Sequence, residues 1–328
     1  MIVQVADISQ VAAARRAAQS AAEQAGFDET RAGKVALIAT ELATNLIKHA
    51  GGGRMVIGTY ADASGRGLEL MSLDTGGGIA DLARAMQDGT STAGSKGNGL
   101  GSIRRQADVF DIFSEPGRGT ALVARIAASA RSNPGDAEGV VGSVVVPTPG
   151  EAVAGDDWAF AITPAGPTIM LVDGSGHGPF AEKAAAAAVE AFKANIDKPC
   201  VALLESIHRA MAPTRGGAVG VARASKADRT VRYVGVGNIA GVLVVNGEMK
   251  HMVSNNGIAG HIASRIREFS YPSGDHATVI LHSDGLSNRW DVAAYPGLAF
   301  RHPSAIAGVL FRDHYRGRDD GAVVAMRI

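Results

Sequence analysis

Acidic residues recur at turns in the second half of this sequence. They lie in four short segments: Gly155-Asp156-Asp157, Asp173-Gly-Ser-Gly-His177-Gly178, Ser283-Asp284-Gly285 and Asp319-Asp320-Gly321. An Asp in a turn often does no more than bond its own backbone. Four of them at the ends of apolar runs carry more weight. Carboxylates gathered at one edge of two sheets would repel one another unless cations lay between them. The chain has a single cysteine, so a thiolate cage is not available, and hard oxygen ligands select Mg2+ or Mn2+.

The first half offers a different set. In Glu41-Leu-Ala-Thr-Asn45 the carboxylate and the amide are four residues apart, so a helix places both on one face, where they can hold a hydrated cation and a nucleophile. A solvated polar face would show the same spacing. Asp74-Thr-Gly-Gly-Gly78 follows the apolar run Leu68–Leu73. An acid ending a buried strand can accept a hydrogen bond from an exocyclic amino group, and the glycines, Gly76 and Gly78 among them, let a flat ring approach the backbone; an ordinary strand-to-helix turn is the alternative. The third segment is Gly89-Thr-Ser-Thr-Ala-Gly-Ser-Lys96-Gly97-Asn-Gly99-Leu-Gly101. Glycines opening a helix present amide groups to phosphate with help from the helix dipole, and Lys96 adds a positive charge. The spacing is neither the dinucleotide fingerprint nor a Walker loop.

The elements that must position these residues follow from periodicity. In the first half we expect a strand over 2–5, a helix over 9–25 capped by Ser9, and a helix capped by Asp28 that runs to about Ala50, with Val35, Ile38, Leu42 and Leu46 on its buried face. Strands over 55–60 and 68–74, short helices over 82–86 and 100–107, and a hairpin over 109–126 complete a sheet covered by helices. In the second half, strands are expected over 143–146, 158–163, 168–172, 219–224, 231–236, 242–245, 278–283 and 323–328, with helices over 179–195, 201–211 and 304–311. Many strands with few helices predict two packed sheets flanked by helices. Between Ala127 and Gly142 small and polar residues replace any hydrophobic period, which marks a linker. The division expected is 1–130, a linker over 131–142, and 143–328.

The three segments of the first half, in this order, resemble the N, G1 and G2 boxes of the ATP-binding fold shared by gyrase-type ATPases, histidine kinases and anti-sigma-factor serine kinases. Glu41-Leu-Ala-Thr-Asn45, Met86-Gln-Asp-Gly-Thr-Ser-Thr-Ala-Gly94 and Gly119-Thr120 bring the resemblance closest to the serine/threonine switch kinase of the bacterial general-stress pathway. It covers nearly all of residues 1–128. It implies that Asn45 holds Mg2+, Asp74 reads adenine with support from Thr120, Gly97 to Gly101 wrap the phosphates, and Glu41 orients or deprotonates the attacking hydroxyl.

The second half resembles the metal-dependent serine/threonine phosphatases of the PP2C type, in the bacterial branch of sporulation and stress signalling. Gly155-Asp156, Asp173-Gly-Ser-Gly-His-Gly178, Gly235-Val-Gly237-Asn238, Ser283-Asp284-Gly285 and Asp319-Asp320 carry it, over about 143–328. It implies a two-metal site with Asp173 bridging, the Gly174 carbonyl as a further ligand, and Asp156, Asp284 and Asp319 completing the shells. Water would be the nucleophile, between ions roughly 3.5–4 Å apart. The last motif departs from the family pattern after its acidic pair, and Asp319 rather than Asp320 is the expected ligand.

Composition bounds what else the chain can be. Of 328 residues, 46% are hydrophobic, enough for a real core, and Lys plus Arg (32) equals Asp plus Glu (32). Zero net charge gives no general reason to bind nucleic acid or an anionic membrane. The N-terminus, Met-Ile-Val-Gln-Val-Ala-Asp, lacks a basic segment leading into an apolar one, so a cytoplasmic protein is expected. Together these readings predict an α+β chain: an ATP-binding α/β sandwich followed by a helix-flanked β-sandwich. The function they imply is a combined serine/threonine kinase and phosphatase using ATP and Mg2+ or Mn2+. By the resemblance its partners are STAS-type regulators or anti-anti-sigma factors, with room for a homodimer. The alternative is a single phosphatase whose first domain binds ATP only as a regulatory or anti-sigma binding module.

Overall fold

The computed structural model describes residues 1–86, 99–128, 139–263, 266–274 and 276–328. The chain is α+β and divides into two compact units, Met1–Gly135 and Asp136–Ile328.

In the first unit β1 (Ile2–Val5) leads to α1 (Ile8–Gln24) and α2 (Glu29–Ala50). Then come β2 (Gly53–Asp62), β3 (Gly65–Leu73), α3 (Leu82–Ala85), α4 (Gly99–Gln106), β4 (Val109–Glu115) and β5 (Gly119–Ala127). The sheet has the order β1-β2-β3-β5-β4, with every neighbour antiparallel. Alternation along the strands explains the layering. Leu68, Leu70, Leu122, Ala124 and Ile126 point to one face and pack with Val35, Ile38, Leu42 and Leu46 of α2 and with Ala14, Ala18 and Ala22 of α1. The alanines along α1 allow a close approach. Asp28 caps α2 by accepting from the Arg31 amide at 2.8 Å, as expected. The cap of α1 is Asp7, not Ser9. Asp7 has the extended backbone a cap requires (φ −147, ψ 169), and its carboxylate accepts from the Ser9 amide while Gln10 closes a capping box.

The second unit contains β6 (Val141–Val146), β7 (Asp156–Thr163), β8 (Gly166–Gly174), α5 (Pro179–Ala194), α6 (Cys200–Met211) and β9 (Gly217–Ser225). It continues with β10 (Thr230–Val236), β11 (Ala240–Val245), β12 (Glu248–Met252), β13 (Gly257–Ile258), β14 (Ile262–Ala263) and β15 (Phe269–Pro272). It ends with β16 (Ala277–His282), α7 (Pro303–His314) and β17 (Gly321–Arg327). Two open antiparallel sheets, β15-β10-β9-β8-β7 and β12-β11-β16-β17-β6, face each other. Ile169 and Leu171 of β8 point between the sheets, toward Leu243, Val279, Leu281 and Val324. Their neighbours Met170 and Val172 point outward onto Ala184, Ala188, Phe192, Leu203 and Ile207 of α5 and α6. A strand buried on both faces reads as the continuous apolar run Thr-Ile-Met-Leu-Val. No helix among the described residues is long and apolar enough to cross a membrane.

Candidate active sites

In the first unit Glu41 and Asn45 occupy successive turns of α2, both partly buried. The first residue of α4 lies against them: a Cβ at Gly99 would stand 3.5 Å from Glu41 Oε2 and 3.5 Å from Asn45 Oδ1. The glycine-rich segment therefore meets the Glu/Asn face at Gly99, with Gly101 two residues further into α4. Lys96 and Gly97 lie outside the described residues.

Asp74 follows β3, and the segment it opens packs on the C-terminal turn of the same helix. A Cβ at Gly76 would fall 2.7 Å from the Ala50 Cα, so only glycine lets the chain pass there. Asp74 Oδ1 accepts from the Gly76 amide at 2.9 Å and the Thr120 amide at 3.2 Å. Thr120 thus supports Asp74 through its backbone, while its hydroxyl is engaged with Ser114 Oγ at 2.8 Å. Ser114 in turn accepts from the Ile79 amide, which ties the turn to the β4–β5 hairpin. Ser114 carries no motif in the sequence and is found only through this network. Gly78 is required by the protein itself: its φ is +67, and a Cβ would collide with the Glu115 carbonyl.

In the second unit the acids are set by strand register. Asp156 begins β7 and Asp173 nears the end of β8, and the two are direct cross-strand partners. Asp284 follows β16 and Asp319 precedes β17, which is paired with β16. The electrostatics show that these ends share one neighbourhood. Burial, then Asp173 and the Asp320–Asp319 pair, push the Asp156 carboxyl well above the usual range, against one hydrogen bond that lowers it. Burial, followed by Asp284, Asp319 and Asp320, pushes Asp173 up to about 7. Burial and Asp319 raise Asp284.

The supporting contacts sort the acids by role. Asp156 accepts from Ser283 Oγ at 2.7 Å, and Ser283 is itself fixed by the Ala322 amide at 2.9 Å. Asp284 accepts from the Asn238 side chain at 2.8 Å. Asp320 is buried, and its two oxygens take the Thr148 amide (2.6 Å) and the Gly155 amide (2.7 Å). Asp319 is exposed beside it. Asp320 is thereby committed to holding the backbone around Gly155, which leaves Asp319 as the acid of that pair turned to solvent. Gly174 sits where a Cβ would strike the Ala181 carbonyl. His177 is exposed, with Nδ1 at 2.7 Å from Glu151 Oε1.

The side chains as they stand do not gather three or more His, Cys, Asp or Glu groups around one point among the described residues. The donor chemistry nevertheless fits a divalent cation. The acids are oxygen-only and mutually repelling, two are substantially buried, and among the described residues none of the four forms an ion pair with a protein cation.

The histidine kinase-like ATPase domain model matches residues 5–140. The chain is 35% identical over 114 residues to the serine/threonine-protein kinase RsbT of Bacillus subtilis (strain 168), across 35% of this chain and 86% of that protein. Through its first unit, the chain belongs to the histidine kinase-like ATPase family. Solved structures match a larger share than that unit can supply. A chain from a bacterial stressosome structure aligns with TM-score 0.53 at 22% identity, covering 57% of this chain and 98% of its own length. RsbX in complex with magnesium aligns with TM-score 0.50 at 18% identity, covering 56% and 92%. The PP2C phosphatase domain of SpoIIE from Bacillus subtilis, with a fragment of its regulatory domain, aligns with TM-score 0.49 at 13% identity, covering 98% and 96%. At these identities the likenesses to the stressosome chain and to RsbX are ones of fold alone. A switch-kinase-type ATP-binding unit joined to a PP2C-like unit is the arrangement the sequence motifs pointed to.

Proposed function

We propose that the chain is a bifunctional signalling enzyme: an ATP-dependent serine/threonine kinase in residues 1–130 and a metal-dependent serine/threonine phosphatase in residues 143–328, both acting on STAS-type regulators in a partner-switching pathway. The observation that carries the reading is the Asp156–Asp173 cross-strand pair, a buried and a half-buried acid facing each other beside Asp284 and Asp319. The 35% identity to a serine/threonine kinase supports the first activity. Likeness in fold to RsbX supports the setting of the second.

In the kinase unit, Asp74 is fixed by two amides and would accept from the adenine amino group. Asn45 would hold Mg2+. Glu41, one turn away and beside Gly99, would orient the substrate hydroxyl and take its proton. Bound ATP supplies the phosphoryl group. In the phosphatase unit, Asp173, Asp156, Asp284, Asp319 and the Gly174 carbonyl would hold two Mg2+ or Mn2+. Those ions would supply positive charge against the phosphate and lower the pKa of water. Ser283 and Asn238 keep Asp156 and Asp284 aimed. Water adds to phosphorus, the ester P–O bond breaks, and the leaving serine or threonine oxygen takes a proton.

The test is quantitative phosphoproteomics on cells carrying the native chain, Glu41→Ala or Asp173→Asn. One site that falls in the first variant and rises in the second establishes opposed activities on one target. A change only in Asp173→Asn would reduce the first unit to a binding module.

A further inference from the structure

Arg215 stands apart from the acids but next to the loop that carries one of them. It precedes β9, and its neighbours are built into the Asp173 segment. The Ser175 amide donates to the Gly216 carbonyl at 2.9 Å, and Gly217 is the cross-strand partner of Gly174. The guanidinium reaches over that loop, because a Cβ at Gly176 would lie 3.2 Å from Arg215 Nη1. It is held there by an aromatic plane: its Cζ lies 4.7 Å from the centroid of the Phe180 ring, at the start of α5. Phe180 is 65% exposed, an unusual position for so large an apolar side chain. Among the described residues Arg215 makes no ion pair. The result is a permanent cation, oriented by stacking and without a carboxylate partner, on the rim of a site walled by acids.

This arrangement answers a difficulty in the chemistry. A phosphate monoester carries close to two negative charges at neutral pH, and it must enter among Asp156, Asp173, Asp284 and Asp319. A guanidinium presents two parallel N–H groups that match two phosphate oxygens, and its charge offsets the repulsion on entry. We propose that Arg215 binds the phosphate of a phosphorylated serine or threonine side chain, with Phe180 as its positioning residue. The proposal rests on the phosphatase reading of the second unit. The surroundings favour a protein as the bearer of that phosphate. Gly216 packs on Ile258 and His261, and the adjoining hairpin exposes Ile258 (43%) and Ile262 (73%), which gives a polypeptide apolar side chains to lie on.

The experiment uses the full chain with Mn2+, p-nitrophenyl phosphate as substrate, inorganic phosphate as competing product, and calorimetric titrations of both Mn2+ and phosphate. Arg215→Ala should raise KM about tenfold and weaken inorganic phosphate by a similar factor, the scale of one charge-assisted hydrogen-bonded contact, while kcat changes less. Arg215→Lys should recover part of the loss, and Phe180→Ala should fall between wild type and Arg215→Ala. Mn2+ affinity should stay within twofold throughout. Unchanged KM and phosphate affinity in folded Arg215→Ala would overturn the proposal. So would a parallel loss of Mn2+ affinity, which would make Arg215 a prop for the Asp173 loop. If the wild-type chain binds Mn2+ yet hydrolyses nothing, the phosphatase reading itself fails, and the proposal with it.

Discussion

In each unit two charged residues stand directly opposite one another on adjacent strands, of opposite sign in the first unit and of like sign in the second. In the first unit Glu69 of β3 faces Arg125 of β5. Arg125 is 1% exposed, and its Nε donates to Glu69 at 2.5 Å and its Nη1 to Asp62 at 2.7 Å. The Tyr60 ring lies 4.3 Å from its Cζ. Burial alone would lower the guanidinium pKa, yet the two carboxylates overcome it and the net shift is upward. In the second unit Asp156 faces Asp173, and both carboxyls are driven upward. The first cluster is held together by the protein's own charges, one guanidinium shared by two carboxylates. The second pair, Asp156 and Asp173, is left uncompensated by any side-chain cation among the described residues, as the proposed cation site requires.

Breaking the compensated cluster should have the largest effect on stability. Arg125→Met strands Glu69 and Asp62 in the interior. It should destabilise the first unit by about 3–5 kcal/mol, as expected when one partner of a buried ion pair is removed. Replacing Glu69 and Asp62 with neutral residues in the same background should recover much of that loss. Thermal or urea unfolding of the wild type and both variants measures both.

The uncompensated cluster should behave the opposite way. If the proposed site holds Mn2+ only where the acids are assembled, a hundredfold excess over its Kd should stabilise the second unit by about 2.7 kcal/mol. Asp173→Asn should abolish that gain and also make the metal-free protein more stable than wild type, since it removes one of two repelling charges. A metal-free Asp173→Asn protein less stable than wild type would show that the acids are not in conflict.

Acidity sharpens the contrast further. The folded pKa of Asp173 is about 7, against an ordinary value of 3.8. Between those values the folded chain holds a proton that the unfolded chain has released, so stability falls as pH rises across that window. The metal-free second unit should be more stable at pH 5 than at pH 8, on the order of 2 kcal/mol or more given 1.36 kcal/mol per pKa unit. Saturating Mn2+ should remove the slope. A flat profile in the metal-free protein would count against the mutual repulsion.

How much of this was legible in the sequence depends on what fixes each feature. Strands with apolar residues on both faces, such as 168–172, announce themselves, and so does the stripe Val35, Ile38, Leu42, Leu46 on α2. Two of the edge strands do not. Glu248–Met252 and Phe269–Pro272 lie at the margins of their sheets, largely exposed, and their polar residues carry little hydrophobic signal. The acids were visible as residue types at strand ends. Their facing was not, because the Asp156–Asp173 register depends on where the turn between β7 and β8 falls. The partners that aim them, Ser283 and Asn238, and the stacking of Arg215 on Phe180 are long-range contacts that no local pattern encodes.

The smallest expected effect tests the local end of that scale, at the helix carrying Glu41 and Asn45. Asp28 is a cap that the sequence alone located, and its carboxylate satisfies an amide at the start of α2. Its weak contact with Arg31, 3.9 Å away and 65% exposed on the Asp28 side, adds little in water. Asp28→Ala should therefore cost about 1 kcal/mol of stability in the first unit, and Asp28→Ser should restore most of it, because a hydroxyl can accept the same hydrogen bond. Glu41 and Asn45 lie about four to five turns further along α2, so nucleotide affinity measured by calorimetry should not move. A loss of affinity in Asp28→Ala would mean that fraying at the N-terminus of α2 propagates to the site, and that the first unit's polar face is held less rigidly than the strand-end acids of the second.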